Sequence, residues 1–420
     1  MFVKCAYMRI VVLILLWVGS AVPVKGQYLG NQQLSEDARI SLLTIFPGDE
    51  LYTAFGHTAI RVYDPASGLD VVYNYGTFDF GEPGFYWKFI RGELRYFLSR
   101  APFALVYDHY REVERRAMVE QILRMNREKK QQLFTFLEEN YRPENRYYAY
   151  DFFFDNCATR VRDVFERVLA DHLAYPEAVE PPAPTFRRLL DPYMADRPFL
   201  HTGMDLLLGQ PADAPASLRD AFFLPLILMQ GIGASRVYIG ETWEPFVAAT
   251  DTLFWIEGAG IPEPVPDWPT MLLWGIFVLS VSVTVRKAIE GKVRPFSPWG
   301  DGMLFTVAGL IGVVLMFLWL GTHHRVAAPN WNLLWAWPTH LLVGMLIFRK
   351  RPFRSGWKSY IIAASLAGWG VILGWRWIPQ ELPAALFPFV LLLIWRMAWM
   401  TWLYAWFQPS ITADTKPSSI

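Results

Sequence analysis

Hydrophobic positions change character along this chain. Between residues 38 and 110 they come in short runs bounded by turn residues, the pattern of strands. Ile40–Phe46 is largely apolar and stops at the turn Pro47-Gly48-Asp49-Glu50. In His57–Tyr63, His, Ala and Arg alternate with mostly apolar neighbours. Asp64-Pro65-Ala66-Ser67-Gly68 then predicts a hairpin loop, with Asp70–Tyr75 as the return strand. Residues 111–141 read as helical, with Ala117, Met118, Ile122, Leu133, Phe136 and Leu137 amid charges. A further helix is expected over Cys157–Leu169, where Val161, Val164, Phe165 and Val168 recur at helical spacing. Residues 171–217, rich in Pro and Ala, read as a long wrapped connection. Ala221–Gly233 is apolar but too short and interrupted to span a bilayer, and is expected in the core rather than as a membrane lid.

After the stiff segment Pro262–Pro269 the pattern turns almost wholly apolar. Five stretches follow, near Thr270–Val285, Met303–Leu320, Leu333–Phe348, Tyr360–Trp375 and Leu382–Trp406. Several approach the lower length limit for crossing ~30 Å of hydrocarbon. Loop 286–301 carries Arg286, Lys287, Lys292 and Arg294, and loop 349–358 carries Arg349, Lys350, Arg351, Arg354 and Lys358. Loops 321–332 and 376–381 carry only Arg325 and Arg376. The excess of Lys and Arg assigns the first two loops to the cytoplasm, which leaves the N-terminal domain outside. Residues 1–26 point the same way. Lys4 and Arg9 precede the apolar run Ile10–Val18 and the small residues Gly19, Ser20 and Ala21, as in a secretory signal, with retention as an anchor the alternative. The expected layout is therefore a signal peptide at 1–26, a periplasmic domain at 27–261, a Pro-rich linker at 262–269, a transmembrane domain at 270–408 and a cytoplasmic tail at 409–420. The location is the inner membrane, crossed several times.

Composition sharpens this picture in two respects. The 39 Lys and Arg balance 39 Asp and Glu, and no long basic stripe interrupts them, so no nucleic-acid partner is expected. The two cysteines are Cys5, inside the signal, and Cys157, so the mature chain has one thiol and no internal disulfide.

That thiol has a distinctive setting. In Tyr150-Asp151-Phe152-Phe153-Phe154-Asp155-Asn156-Cys157-Ala158-Thr159-Arg160, Asp155 or Asn156 is a natural N-cap and Cys157 opens the helix. The helix dipole and free N–H groups there favour the thiolate and can hold an oxyanion. A nucleophile needs a base, and His57 in Phe55-Gly56-His57-Thr58-Ala59 is the best placed. His109, His172 and His201 have no comparable setting. If the four-residue loop Pro65–Gly68 closes a regular hairpin, His57 faces Gly76 and Asn74 lies one diagonal step away on the same face. A loop one residue shorter or longer would bring Tyr75 opposite instead. Asn74 is thus the first choice to orient the imidazole and Asp79 the second. Asn156, Tyr75 and Asp155 are the expected substrate contacts beside the pair.

These residues resemble the circularly permuted NlpC/P60 (papain-like) arrangement, with His before Cys as in lecithin–retinol acyltransferase. FGHTAI, VYNYGTFDF, YDFFFDNCATR, LLLGQPAD and AFFLP more specifically resemble the Lnb family of Bacteroidota membrane proteins. The resemblance implies an α+β papain-like extracytoplasmic domain followed by an all-α bundle of about five transmembrane helices. It also implies a lipoprotein N-acyltransferase, taking an acyl chain from a phospholipid and giving it to a diacylated lipoprotein, with the bilayer as a partner.

The outer loop Thr322–Pro338 adds His323, His324, Arg325, Asn330 and Asn332 among tryptophans. It is read as interfacial anchoring or as contacts to a phosphate or carboxylate. No third ligand of suitable spacing supports a metal there, and no cofactor is expected. A cysteine peptidase or amidase acting on cell-wall peptides, and a non-enzymatic binding module, remain the alternatives. An apolar cleft opening toward the bundle would favour acyl transfer; a peptide groove with charged subsites would favour the peptidase.

Overall fold

The computed structural model describes residues 28–79, 81–176, 183–292, 294–349 and 355–403. The signal segment and the tail after residue 408 fall outside the described residues. Among those described, the N-terminal half is built on a seven-stranded antiparallel sheet of order β10-β5-β1-β2-β3-β4-β6. Its strands are β1 (Arg39–Ile45), β2 (His57–Asp64), β3 (Leu69–Thr77), β4 (Arg95–Pro102), β5 (Met118–Leu123), β6 (Tyr147–Ala149) and β10 (Val247–Phe254). A small sheet, β7 (Leu173–Ala174), β8 (Arg236–Ile239) and β9 (Thr242–Pro245), lies apart.

Among the helices of this domain are α1 (Phe85–Arg91), α2 (Arg127–Tyr141), α3 (Cys157–Leu169), α4 (Pro198–Leu207) and α5 (Pro225–Ala234). α3 presents Val161, Val164, Phe165 and Val168 to β2 and β3, and these join Ile40, Leu42, Ile60, Val62 and Tyr73 in one buried core. A helix with the cysteine at its first position, packed on the strand that starts with the histidine, is the α+β arrangement expected of a permuted papain-like domain. α5 buries Leu226, Leu228 and Ile232, so Ala221–Gly233 belongs to the core.

Two sequence expectations change. Residues 111–141 are not one helix: a π-helical turn at His109–Val113 leads into β5, and only Arg127–Tyr141 is helical. β5 is a central strand between β1 and β10, buried on both faces, so its apolar positions lose the alternation that marks a strand. The stretch 171–217 does not merely wrap. Buried Arg187 donates to Asp213 at 2.7 Å and to the carbonyls of Asp205, Leu208 and Gly209, clamping α4 to the turn beyond it. His201, which has no setting in the sequence comparable to that of His57, belongs to this ion network through Asp191 at 3.0 Å and Asp205 at 3.4 Å.

The C-terminal half is helical: α6 (Trp268–Ile289), α7 (Pro298–Gly321), α8 (His340–Phe348), α9 (Ser355–Gly374) and α10 (Phe387–Ala398). Among the described residues three segments are long and apolar enough to cross a membrane alone: Trp268–Ile289, Pro298–Gly321 and Ala384–Thr401. The stretch Leu333–Phe348 begins as a 3-10 turn at Trp331–Leu334 and becomes α-helical only at His340, because Pro338 offers no N–H. Main-chain hydrogen bonds join the halves. Gly209 N–H donates to Val326 at 2.7 Å, Gln210 N–H to Pro329 at 2.8 Å, and His323 N–H to Arg91 at 2.9 Å.

Candidate active site

The hairpin of β2 and β3 sets the register of the site. Its loop closes at Asp64 opposite Leu69, and Asp64 is buried beneath it, accepting from Ser67 Oγ at 3.0 Å and Ala66 N–H at 3.2 Å. The pairing continues through Ile60 opposite Tyr73, which carries His57 to the level of Gly76. His57 Nε2 bonds Asn74 Oδ1 at 2.7 Å. The amide oxygen can only accept, so Nε2 carries the proton and Nδ1 keeps a free lone pair.

Gly76 separates the two reactive side chains. A Cβ built there would lie 3.4 Å from Cys157 Cβ and 3.4 Å from His57 Cε1, and its φ of +98° is one that side chains resist. The β3–β4 ladder shifts register between Asn74 and Thr77, a bulge that aims Asn74 and Gly76 into the site. Gly56, with φ +82°, lets the chain approach the Ile45 carbonyl just before His57.

Cys157 opens α3 behind a capping box. Asn156 Oδ1 accepts from the N–H groups of Ala158 and Thr159, both at 2.9 Å, and Thr159 Oγ1 accepts from Asn156 N–H at 2.8 Å. The sequence predicts a thiolate here, and the structure overturns that for the resting site. Burial pushes the Cys157 thiol up to about 11, outweighing the N–H groups of Thr58 and Ala158 and the charge of Arg116. Burial, then Arg116, lowers His57 to about 4, against the opposing pull of Asn74 and Glu114. Thiol and imidazole are both neutral at pH 7. Desolvation beats the helix N-terminus.

Cys157, His57 and Asn74 share one cavity of about 640 Å³. His323, His324 and Arg325 line it from the bundle side. His324 Nε2 donates to the Ile90 carbonyl at 2.9 Å, His323 Nε2 lies 3.3 Å from Glu93, and Arg325 Nε lies 3.8 Å from Asp151. The other expected contacts are structural. Tyr75 alternates to the far face of β3, is 1% exposed, and accepts from Asn140 at 2.9 Å. Asp155 pairs with Arg160 away from the cavity wall. Asn156 touches the cavity, but its amide is spent on the cap and on the carbonyls of Phe152 and Phe223. Asn330 and Asn332 are buried: Asn330 Nδ2 donates to the Leu206 carbonyl at 2.9 Å, and Asn332 Oδ1 accepts from Trp335 at 3.1 Å. They fix the outer loop to α4 and to itself instead of facing a headgroup.

Sequence reasoning missed Arg116, Glu114 and Tyr110, which also line the cavity. Arg116 is 4% exposed, donates from Nε to the Phe46 carbonyl at 2.8 Å and from Nη1 to Glu114 at 2.7 Å. A helical reading of 111–141 hid them; a strand starting at Met118 would have brought this charged pair to the end of the sheet beside His57. The remaining wall is largely apolar, with Leu51, Phe55, Phe78, Phe89, Phe152 and Phe153, and is joined by Asp151 and several tyrosines.

Fold and site together define a class: a membrane protein whose α+β domain encloses a thiol and an imidazole under a loop of its own helical bundle. Residues 28–192 match the Lnb N-terminal periplasmic domain, and residues 265–406 match the Lnb transmembrane domain. The chain belongs to the Lnb family, which makes it a membrane protein with a periplasmic domain and an Lnb-type role in lipoprotein processing. No curated protein and no solved structure matches it.

Proposed function

We propose that this chain is a lipoprotein N-acyltransferase of the inner membrane, spanning it with about five helices. Its soluble domain, up to residue 261, faces the periplasm, and residues 262–269 lead into the bundle. The observation that carries the reading is the cleft itself. An apolar pocket holding Cys157 and His57 opens beneath the bundle loop His323–Val326. Its charged groups gather at Arg116, Glu114, Asp151 and the loop, while Leu51, Phe55, Phe78, Phe89, Phe152 and Phe153 give the apolar lining that an acyl chain needs. α1 adds support, since Tyr86, Trp87, Phe89 and Ile90 are exposed and Trp87 packs on Phe317 of α7 at 5.9 Å. Such a patch belongs at a lipid surface.

In the first half-reaction Cys157 Sγ attacks an ester carbonyl of a phospholipid while its proton passes to Nδ1 of His57. Nδ1 is the accepting nitrogen because Asn74 holds the proton on Nε2. Coupled transfer avoids a free buried thiolate, consistent with the raised thiol and lowered imidazole. The Cys157 N–H, which the Asn156 cap does not take up, stabilises the tetrahedral oxyanion. Collapse expels the lysophospholipid alkoxide, which takes the proton from His57 and leaves a thioester. The α-amine of a diacylglyceryl-cysteine then attacks the thioester carbonyl. His57 accepts the amine proton and returns it to sulfur as the amide forms.

The test is mass spectrometry of a diacylated lipopeptide incubated with the purified protein and phospholipid. A gain of one acyl chain on the amine is expected. No gain, or cleavage of a wall peptide in a parallel assay, overturns the reading.

A further inference from the structure

The bundle holds a second cavity, of about 690 Å³, at the end far from the cleft. It lies among the last turns of α6, the first turns of α7 and the body of α10. α7 alone is 24 residues long, or roughly 36 Å at 1.5 Å per residue, so a full bilayer thickness separates the two cavities.

Its lining is amphipathic. Ile276, Leu279 and Val283 of α6, Leu304 of α7 and Leu392 of α10 form an apolar wall. Deep inside, Arg396 is held by Asp301 through Nε at 2.6 Å and Nη2 at 2.8 Å, while its Nη1 donates to Thr284 at 2.9 Å. That pair is satisfied and needs no ligand. The rim is different. Lys292 reaches Glu290 at 3.2 Å and Lys287 stands in the field of the same carboxylate, but neither Lys287 nor Arg294 makes an ion pair among the described residues. Four cationic side chains line the cavity against two carboxylates, so the excess charge is positive.

An apolar trough that ends in a basic rim at the membrane surface complements a lipid with an anionic headgroup. We propose that this cavity binds one phospholipid of net negative charge in the leaflet opposite the active site. Its phosphodiester lies at Lys287 and Arg294, and one acyl chain lies along the Ile276–Val283 face. This lipid is distinct from the acyl donor, because its ester groups stand a membrane's width from Cys157. It fills the gap between α6 and α10 and fastens the first helix to the last.

The experiment titrates the purified full-length chain in detergent with phosphatidylglycerol and reads retained lipid by native mass spectrometry and stability by thermal unfolding. One tightly retained phosphatidylglycerol and a raised midpoint are expected, without either effect from phosphatidylcholine or inorganic phosphate. The double variant Lys287→Gln/Arg294→Gln should need roughly ten- to thirty-fold more phosphatidylglycerol. Lys287→Arg/Arg294→Lys, which keeps both charges, should bind like the parent. Equal retention of phosphatidylcholine overturns the proposal. So does equal protection by inorganic phosphate, or an unchanged titration in the Gln variant.

Discussion

The cleft that holds Cys157 and His57 has two unlike walls. The sheet-and-helix wall presents Cys157, His57 and Asn74 buried, neutral and fixed by main-chain geometry. The bundle wall presents His323 and Arg325, whose side chains are 67% and 73% exposed, on a loop between helices. In the first wall the orienting groups are buried and hydrogen-bonded. In the second, exposed side chains lie 3.3 Å from Glu93 and 3.8 Å from Asp151. The contrast is between a wall set by main-chain geometry and a wall carried by a loop of the bundle; under the proposed function the first makes the bonds and the second meets the lipid.

Removing the first wall should have the largest consequence. Cys157→Ala and His57→Ala should each lower acyl transfer roughly 10⁴-fold or more, because the pair acts as a unit, with unfolding midpoint and membrane insertion unchanged. Lipopeptide mass spectrometry checks both. A minor loss in the histidine variant would reassign the base. Next comes the resting thiol. With its pKa raised to about 11, Cys157 in the free protein should alkylate slowly at pH 7. The thiolate fraction grows as protons are removed, so the rate should climb roughly tenfold per pH unit up to pH 10. Iodoacetamide labelling followed across that range reads it directly; a plateau from pH 7 would mean a preformed thiolate.

Asn74→Ala should cost about 10²-fold in kcat with a smaller change in KM, since it frees the imidazole to rotate and lose its tautomer. Steady-state kinetics that moved KM alone would make Asn74 a substrate contact. The second wall should yield the smallest effect. His323→Gln with Arg325→Gln should raise the phospholipid KM roughly two- to five-fold and leave kcat alone, as befits exposed charges. A collapse of kcat there would erase the distinction between the walls.

Much of the first wall is legible in the sequence because local rules fix it. The four-residue loop after Asp64 sets the hairpin register, and the register brings Asn74 to His57. Asn156 announces the start of α3 and with it the place of Cys157. What escapes is whatever depends on burial. The helix N-terminus argues for a thiolate until the desolvation of the folded site is weighed. Asn330 and Asn332 look like headgroup ligands among tryptophans, and only the docking of the outer loop on α4 reveals them as internal ties. Arg116 precedes a strand whose two-sided burial erased its period, so nothing nearby marked it as a neighbour of His57.

The seam between Gly209, Gln210 and the 326–329 segment is stitched by peptide groups, with Asn330 and Trp331 adding side-chain ties beside it. A side chain at Gly209 would break this stitch, since its Cβ would lie 2.8 Å from Ala327 and closer still to the Pro329 carbonyl oxygen. The loop above the cavity is therefore anchored to the soluble domain through a contact that only glycine permits.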